Sequence, residues 1–149
     1  MLLQEAMSPP PIRLAPDSSM LDAVQVLTGS QESYVMVADE RDVLVGVLSE
    51  GDLIRVMLPD MDEIHAAGGS AADAVSAFMR KAGELASQPI GPYMITDPLT
   101  VSPKDHVALA AVIMIERQIR RLPVVDENRR LVGTVSRSDL CGAALKAER

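Results

Sequence analysis

The sequence predicts a mixed α/β (α+β) fold built from two related units with a helical insertion between them, and three observations carry that expectation. An ordered internal repeat runs through the chain. Within each copy the apolar spacing switches between the helical period and the strand period. The apolar content is aliphatic, with no Trp, one Phe and two Tyr, so packing must rest on Val, Leu, Ile, Met and Ala. With 149 residues in all, the two copies must share a core, because neither alone could bury enough surface.

The repeat is anchored by GVLSEGDL from Gly46 and GTVSRSDL from Gly133, an offset of 87 residues (46 to 133). At that offset Met7 falls on Met94, Pro11 on Pro98, Pro16 on Pro103, Ala23 on Ala110, Gln31 on Gln118 and Val37 on Val124. Asp39-Glu40 falls on Asp126-Glu127, Leu44-Val45-Gly46 on Leu131-Val132-Gly133, and Ser49, Asp52 and Leu53 on Ser136, Asp139 and Leu140. Turn residues meet turn residues and apolar residues meet apolar residues, which chance rarely arranges.

Each copy reads as helix, strand, strand, helix. In the first, Asp17-Ser18-Ser19 supplies N-cap residues, followed by Met20, Leu21, Val24 and Leu27 at helical spacing. Lys104-Asp105 opens Val107, Ala111, Met114 and Ile115 in the same way. Residues 34–38 and 43–48 are β-branched runs around the acidic turn Asp39 to Asp42, a hairpin signal that residues 122–125 and 131–135 repeat around Asp126 to Arg130. Ser49 and Ser136 stand where N-caps are wanted, leading into helices over 50–57 and 137–146. Between the copies, Ser70 caps an expected helix to about Ala86 with Ala74, Val75, Phe78 and Leu85 inward. The organisation is therefore a first copy over 1–57, an insertion over 58–89 and a second copy over 90–149.

Charge and composition exclude several functions. A formal charge of −7 opposes the cationic footprint that phosphate-driven nucleic-acid binding needs. Cys141 stands alone, the N-terminus lacks a signal-peptide pattern, and no apolar run approaches a membrane span, so a cytoplasmic location away from membrane is expected. No catalytic constellation is visible. His65 and His106 are the two histidines, and no glycine-rich phosphate loop or standard metal-ligand spacing occurs. Asp60, Asp62, Glu63 and His65 read as a solvated helix start rather than a metal site, and His106 as an exposed group beside another helix start. Met57, Met61, Met79 and Met94 read as core filling in a chain poor in aromatics.

What the repeats do carry is Gly, two residues, Ser, two residues, Asp, at the passage from hairpin to helix. The glycine permits close approach at the strand end. A helix N-terminus offers free amide hydrogens and positive potential to an anion, and the serine adds a hydroxyl. The aspartate can accept two hydrogen bonds from neighbouring hydroxyls, a pattern suited to a ribose diol. A plain N-cap explains a single such motif, whereas two at a fixed offset point to a site.

The chain resembles the cystathionine-β-synthase (CBS) domain family. The resemblance is carried by residues 94–101, the helix after Pro103, Ile119-Arg120-Arg121-Leu122-Pro123-Val124-Val125-Asp126 and the stretch from Leu131 to Leu140. The first copy keeps Met7, Pro16, Asp39, Leu44 to Gly46, Ser49 and Asp52, but has Ser33-Tyr34-Val35-Met36 where the second has Arg120-Arg121-Leu122-Pro123. The resemblance implies a tandem pair, or Bateman module, of two β-α-β-β-α units packed sheet to sheet about a pseudo-twofold axis, often as a homodimer. It also implies a non-catalytic regulatory sensor with two clefts for an adenosyl ligand such as AMP, ADP or ATP, no obligatory cofactor, and an effector protein as its partner. Carried over by position, Ser136, Ser138 and Asp139 mark one cleft, with Thr96, Asp97, Pro98 and Thr100 near the base. Arg120 or Arg121 would meet phosphate there, with Leu122 and Pro123 beside them in the same cleft. Ser49, Asp52 and Tyr34 mark the other cleft, which lacks the arginine pair and so either stays empty or takes a less anionic ligand. The alternative is a homodimerising or partner-docking module with vestigial clefts.

Overall fold

A computed structural model describes residues 1–30 and 34–147, and Gln31 and Ser33 lie outside the described residues. In chain order the elements are β1 (Arg13–Leu14), α1 (Met20–Ser30), β2 (Tyr34–Ala38), β3 (Leu44–Ser49), α2 (Glu50–Met57), α3 (Met61–Ala67) and α4 (Ala71–Leu85). They continue with α5 (Val107–Glu116), β4 (Arg121–Val125), β5 (Leu131–Ser136) and α6 (Arg137–Ala147), and short 3-10 turns occupy Leu3–Glu5 and Gly91–Tyr93. One sheet is ordered β1-β2-β3 and the other is the antiparallel hairpin β4-β5, so the fold is mixed α+β as expected.

Local chemistry accounts for the element ends. Ser49, Asp60 and Ser70 cap α2, α3 and α4, and each accepts a hydrogen bond from the amide of an acidic residue three positions on, which returns the bond to the cap amide. The acidic run Asp60 to Glu63 is therefore a capped helix start, and His106 caps α5 through its ring nitrogen. Both hairpins close identically. The Asp39 carboxylate accepts from the amides of Arg41 and Val43, and the Asp126 carboxylate from those of Asn128 and Arg130.

The chain folds as two compact units that interleave in sequence. One holds residues 1–13, 38–45 and 97–149, and the other residues 14–37 and 46–96. Each combines the leading segment of one copy with the helices of the other. In the first unit Leu3 donates to the Asp105 carbonyl (2.8 Å), Gln4 to Pro103 (2.9 Å), and Val107 to Met1 (3.1 Å). In the second unit the corresponding donors are Ile90 to Ser18 (2.8 Å), Gly91 to Pro16 (2.9 Å) and Met20 to Gln88 (2.9 Å). Every one of these bonds maps onto its counterpart at the 87-residue offset. Leu3 and Ile90 are both 0% exposed, so the leading segments are core components.

The first unit packs Leu3, Val101, Ala110, Met114, Leu122, Val124 and Val135 into one aliphatic cluster. Within this unit the two hairpin turns also bond to each other, Leu44 donating to Arg129 and Leu131 to Asp42 (both 3.0 Å), again an offset-related pair. The second unit buries Met20, Ala23, Leu27, Leu48, Leu53, Ala77, Leu85 and Ile90.

Some inward faces differ from the sequence expectation. Helix α1 buries Met20, Ala23 and Leu27 and leaves Leu21 and Val24 exposed; α5 buries Ala110 and Met114 and leaves Ile115 exposed; Val75 of α4 is exposed. A helix packed through one narrow stripe leaves flanking apolar residues outside it, and apolar spacing alone does not say which stripe is chosen. The core reading of the methionines also needs correction, because Met61 and Met79 are exposed.

Candidate functional site

Both Ser-x-x-Asp corners form where a strand ends and a helix begins. In the second copy, Ser136 ends β5 and α6 follows directly. The Asp139 amide donates to the Ser136 hydroxyl (3.0 Å) and the Ser136 amide to Asp139 Oδ2 (2.9 Å), so the serine and the carboxylate are locked together at the helix start. Asp139 Oδ1 accepts from the hydroxyl of Ser8 (3.2 Å), a residue of the leading segment 131 positions away. Antiparallel register sets Arg121 opposite Ser136, Leu122 opposite Val135 and Pro123 opposite Thr134.

In the first copy the Asp52 amide donates to the Ser49 hydroxyl (3.1 Å) and the Ser49 amide to Asp52 Oδ2 (3.0 Å). The other oxygen goes to the guanidinium of Arg55 (2.6 Å), one turn along α2. Partial burial pushes the Asp52 carboxyl up, but the Ser49 amide, the Arg55 guanidinium and the Ser49 hydroxyl outweigh it and hold it below the usual carboxylate value.

The glycine opening each motif is required by the exchanged segments. A Cβ on Gly133 would lie 2.8 Å from the Ser8 carbonyl oxygen and 3.1 Å from Met7 Sδ; one on Gly46 would lie 2.8 Å from the Ile95 carbonyl oxygen and 2.6 Å from Met94 Sδ. Close approach of backbone is what a side chain there would prevent. Ser8 thereby bridges to Thr134, and Ile95 to Val47.

The candidate residues divide between the units. Ser136, Ser138, Asp139, Arg120, Arg121, Leu122, Pro123, Asp97, Pro98 and Thr100 belong to the first unit, and Ser49, Asp52, Tyr34 and Thr96 to the second, so the chain crosses over between Thr96 and Asp97. Leu122 and Pro123 are buried in β4, Arg121 and Tyr34 are half-buried strand starts, and Thr96, Asp97, Arg120 and Ser138 are exposed. Thr100 lines a groove of about 520 Å³ with Gln4, Lys104 and Asp126, at the turn end of the hairpin rather than the Ser136 end. Arg137 donates to the Ile119 and Met114 carbonyls (3.2 and 3.3 Å), closing the C-terminus of α5. Ser8 and Arg55 are the partners that the motif reading missed. Ser8 maps onto Ile95 and Arg55 onto Gly142, so the repeat itself gives no signal for either. No helix among the described residues is long and apolar enough to cross a membrane.

Comparison with known proteins matches this architecture. The family model described as "CBS domain" matches residues 3–59 and again 90–146. The chain is 31% identical over 147 residues to the chloroplastic CBS domain-containing protein CBSX1 of Arabidopsis thaliana, covering 90% of this chain and 59% of that protein. It is 28% identical over 146 residues to CBSX2 of the same plant, covering 90% and 58%. The chain thus spans about three-fifths of the length of these plant relatives. The crystal structure of CBSX2 in complex with AMP superposes with a TM-score of 0.76 at 25% identity, covering 99% of this chain and 98% of that one.

Proposed function

The chain belongs to the CBS-domain family as a tandem pair, and from that premise we propose that it is a regulatory module whose second-copy cleft binds an adenine nucleotide. The module comprises copies over residues 1–57 and 90–149 joined by an insertion over 58–89, and it performs no chemistry of its own. The observation that carries the reading is the Asp139 carboxylate, held at the start of α6 by reciprocal bonds with Ser136. The AMP complex of CBSX2, which superposes along nearly the whole chain, supports the ligand class.

In this reading Asp139 accepts from the ribose hydroxyls, while Ser136, Ser138 and the α6 amides face the phosphate end, where a helix N-terminus favours negative charge. Arg121, opposite Ser136, and its neighbour Arg120 provide guanidinium donors suited to phosphate oxygens. Asp97 and Pro98 belong to the same unit and flank the base. The Ser49-Asp52 cleft, with Tyr34 in its unit, offers one carboxylate already paired to Arg55 and suits a less anionic adenosyl ligand. Binding shifts the module between conformations that hold the ligand with different affinity, and an effector protein reads the shift.

A second reading, as a homodimerising or partner-docking module, is favoured by the apolar residues left outward on α5: Leu109, Val112 and Ile115 are 46%, 51% and 68% exposed. A thermal-shift panel of AMP, ADP, ATP, S-adenosylmethionine and NAD, on the protein and on Asp139→Ala, separates the two. A nucleotide at a hundred times its dissociation constant is expected to add about 2.7 kcal/mol of stability, and that gain vanishes in Asp139→Ala. A dimer by sedimentation that gains nothing from any of the five ligands would transfer the assignment to assembly.

A further inference from the structure

We propose that Arg137 is a positioning residue that fixes the turn leading into Arg120 and Arg121, and so sets how strongly the second-copy cleft prefers a phosphorylated ligand; the inference rests on the nucleotide-binding reading above. Helix α5 ends at Glu116 and β4 begins at Arg121, so residues 117–120 must reverse the chain. The last carbonyls of a helix have no helical donors left to meet them. Gln118 holds this reversal in the left-handed region (φ 55°), which a residue with a side chain keeps only where surrounding bonds fix it.

Arg137 supplies such bonds from the end of β5. Its amide donates to the Arg120 carbonyl (3.2 Å), its Nε to the Ile119 carbonyl (3.2 Å) and its Nη2 to the Met114 carbonyl (3.3 Å). The Met114 carbonyl also takes the Ile119 amide (2.9 Å), and Met114 is 1% exposed within the aliphatic cluster, so the strap is tied to the core at one end. At the other end Arg137 follows Ser136 directly and opens α6. A guanidinium suits the task, because its planar fork reaches two carbonyls at once and its charge lies at the negative end of α5.

What the strap holds is the backbone that carries Arg120 and Arg121. A donor meets its ligand well only when that backbone is kept within about 0.5 Å of the productive geometry by its supporting bonds. Arg120 is exposed and Arg121 half-buried, so packing places Arg120 little and the bonds of the turn place it more. The first copy lacks the means for this. Glu50 stands at the position equivalent to Arg137, and an ionised carboxylate has no proton to give a carbonyl. Residues 31–33 of the corresponding turn lie outside the described residues.

The test is titration calorimetry of AMP and adenosine on the full chain, on Arg137→Ala and Arg137→Lys, and on the double variant Arg120→Ala, Arg121→Ala with and without Arg137→Lys. Both single variants are expected to cut the preference for AMP over adenosine about tenfold, the worth of a hydrogen bond to a charged group, while adenosine affinity stays within about twofold. Lysine keeps the charge and loses the fork, so a role through charge alone would leave Arg137→Lys with the wild-type preference. Added to the double variant, Arg137→Lys should change nothing further, since the groups it places are gone. Equal weakening of AMP and adenosine, a wild-type preference in Arg137→Lys, or a further loss in the double variant would overturn the positioning role and leave the nucleotide site standing. A wild-type chain that binds neither compound would overturn the site and the role of Arg137 together.

Discussion

The Ser49-Asp52 and Ser136-Asp139 corners share their motif and capping bonds, yet their carboxylates take different second partners. Asp52 is neutralised by a cation on its own helix, whereas Asp139 is steadied by a neutral hydroxyl delivered from the other end of the chain. Arg120 and Arg121 lead into β4, the second of them starting the strand, at the positions where the first copy has Ser33 and Tyr34 in sequence. Two copies of one motif can therefore share a fold while, among the described residues, one carboxylate takes a guanidinium and the other a hydroxyl as its second partner. The caps are structural and common to both; the second partner of each aspartate is where they diverge.

If the copies are equivalent in packing but not in chemistry, perturbing packing should affect both alike. Leu3→Ala and Ile90→Ala each delete a side chain that is 0% exposed, and each is expected to cost about 2–5 kcal/mol in urea unfolding. A loss below about 1 kcal/mol for one of them alone would break the packing symmetry. Perturbing the carboxylates should separate the copies. Asp139→Ala is expected to weaken nucleotide binding by about a hundredfold in calorimetry, from two lost bonds to a charged group, and Asp52→Ala by less than about threefold. The reverse order would exchange the assignments of the two clefts.

The glycines test the exchanged segments at closer range. Gly133→Ala and Gly46→Ala each force a methyl against backbone oxygen at 2.8 Å, and about 1–3 kcal/mol of destabilisation is expected for both. The smallest effect is at Arg55. Its ion pair is on the surface, so Arg55→Ala should cost about 0.2–1 kcal/mol at neutral pH. Because the Asp52 carboxyl is held below its usual value of 3.8, the stability it contributes is present above that pH and is lost as the pH falls through the lower folded value. Removing Arg55 should flatten that acid-side loss, measured as unfolding free energy between neutral and acid pH.

Much of this was legible because its causes are local. The Asp39 and Asp126 turns, the β-branched hairpin runs and the serine caps each act within four residues, and the sequence expectation located them to within a residue or two. Helix faces were harder. Residues 107–115 contain apolar residues on every side, so spacing did not choose Ala110 and Met114 over Ile115. The exchange of leading segments was not legible at all. A repeat offset pairs Leu3 with Ile90, but it does not state which copy either one packs against. Ser8 was hidden for the same reason, since a repeat flags what the copies share and Ser8 stands opposite Ile95.

That exchange also dictates an order of events at the ribosome. The first helix and hairpin emerge before the segment containing Ile90 that completes their hydrogen bonding, and Leu3 waits for the chain to reach Ala110 and Val135 before its cluster exists. Contacts separated by about a hundred residues form late and make folding slow, because long loops must close before any gain is realised. The nascent first copy therefore exposes the β3 edge until the segment containing Ile95 emerges to bridge Val47, a stage at which association with another chain competes with completion of its own.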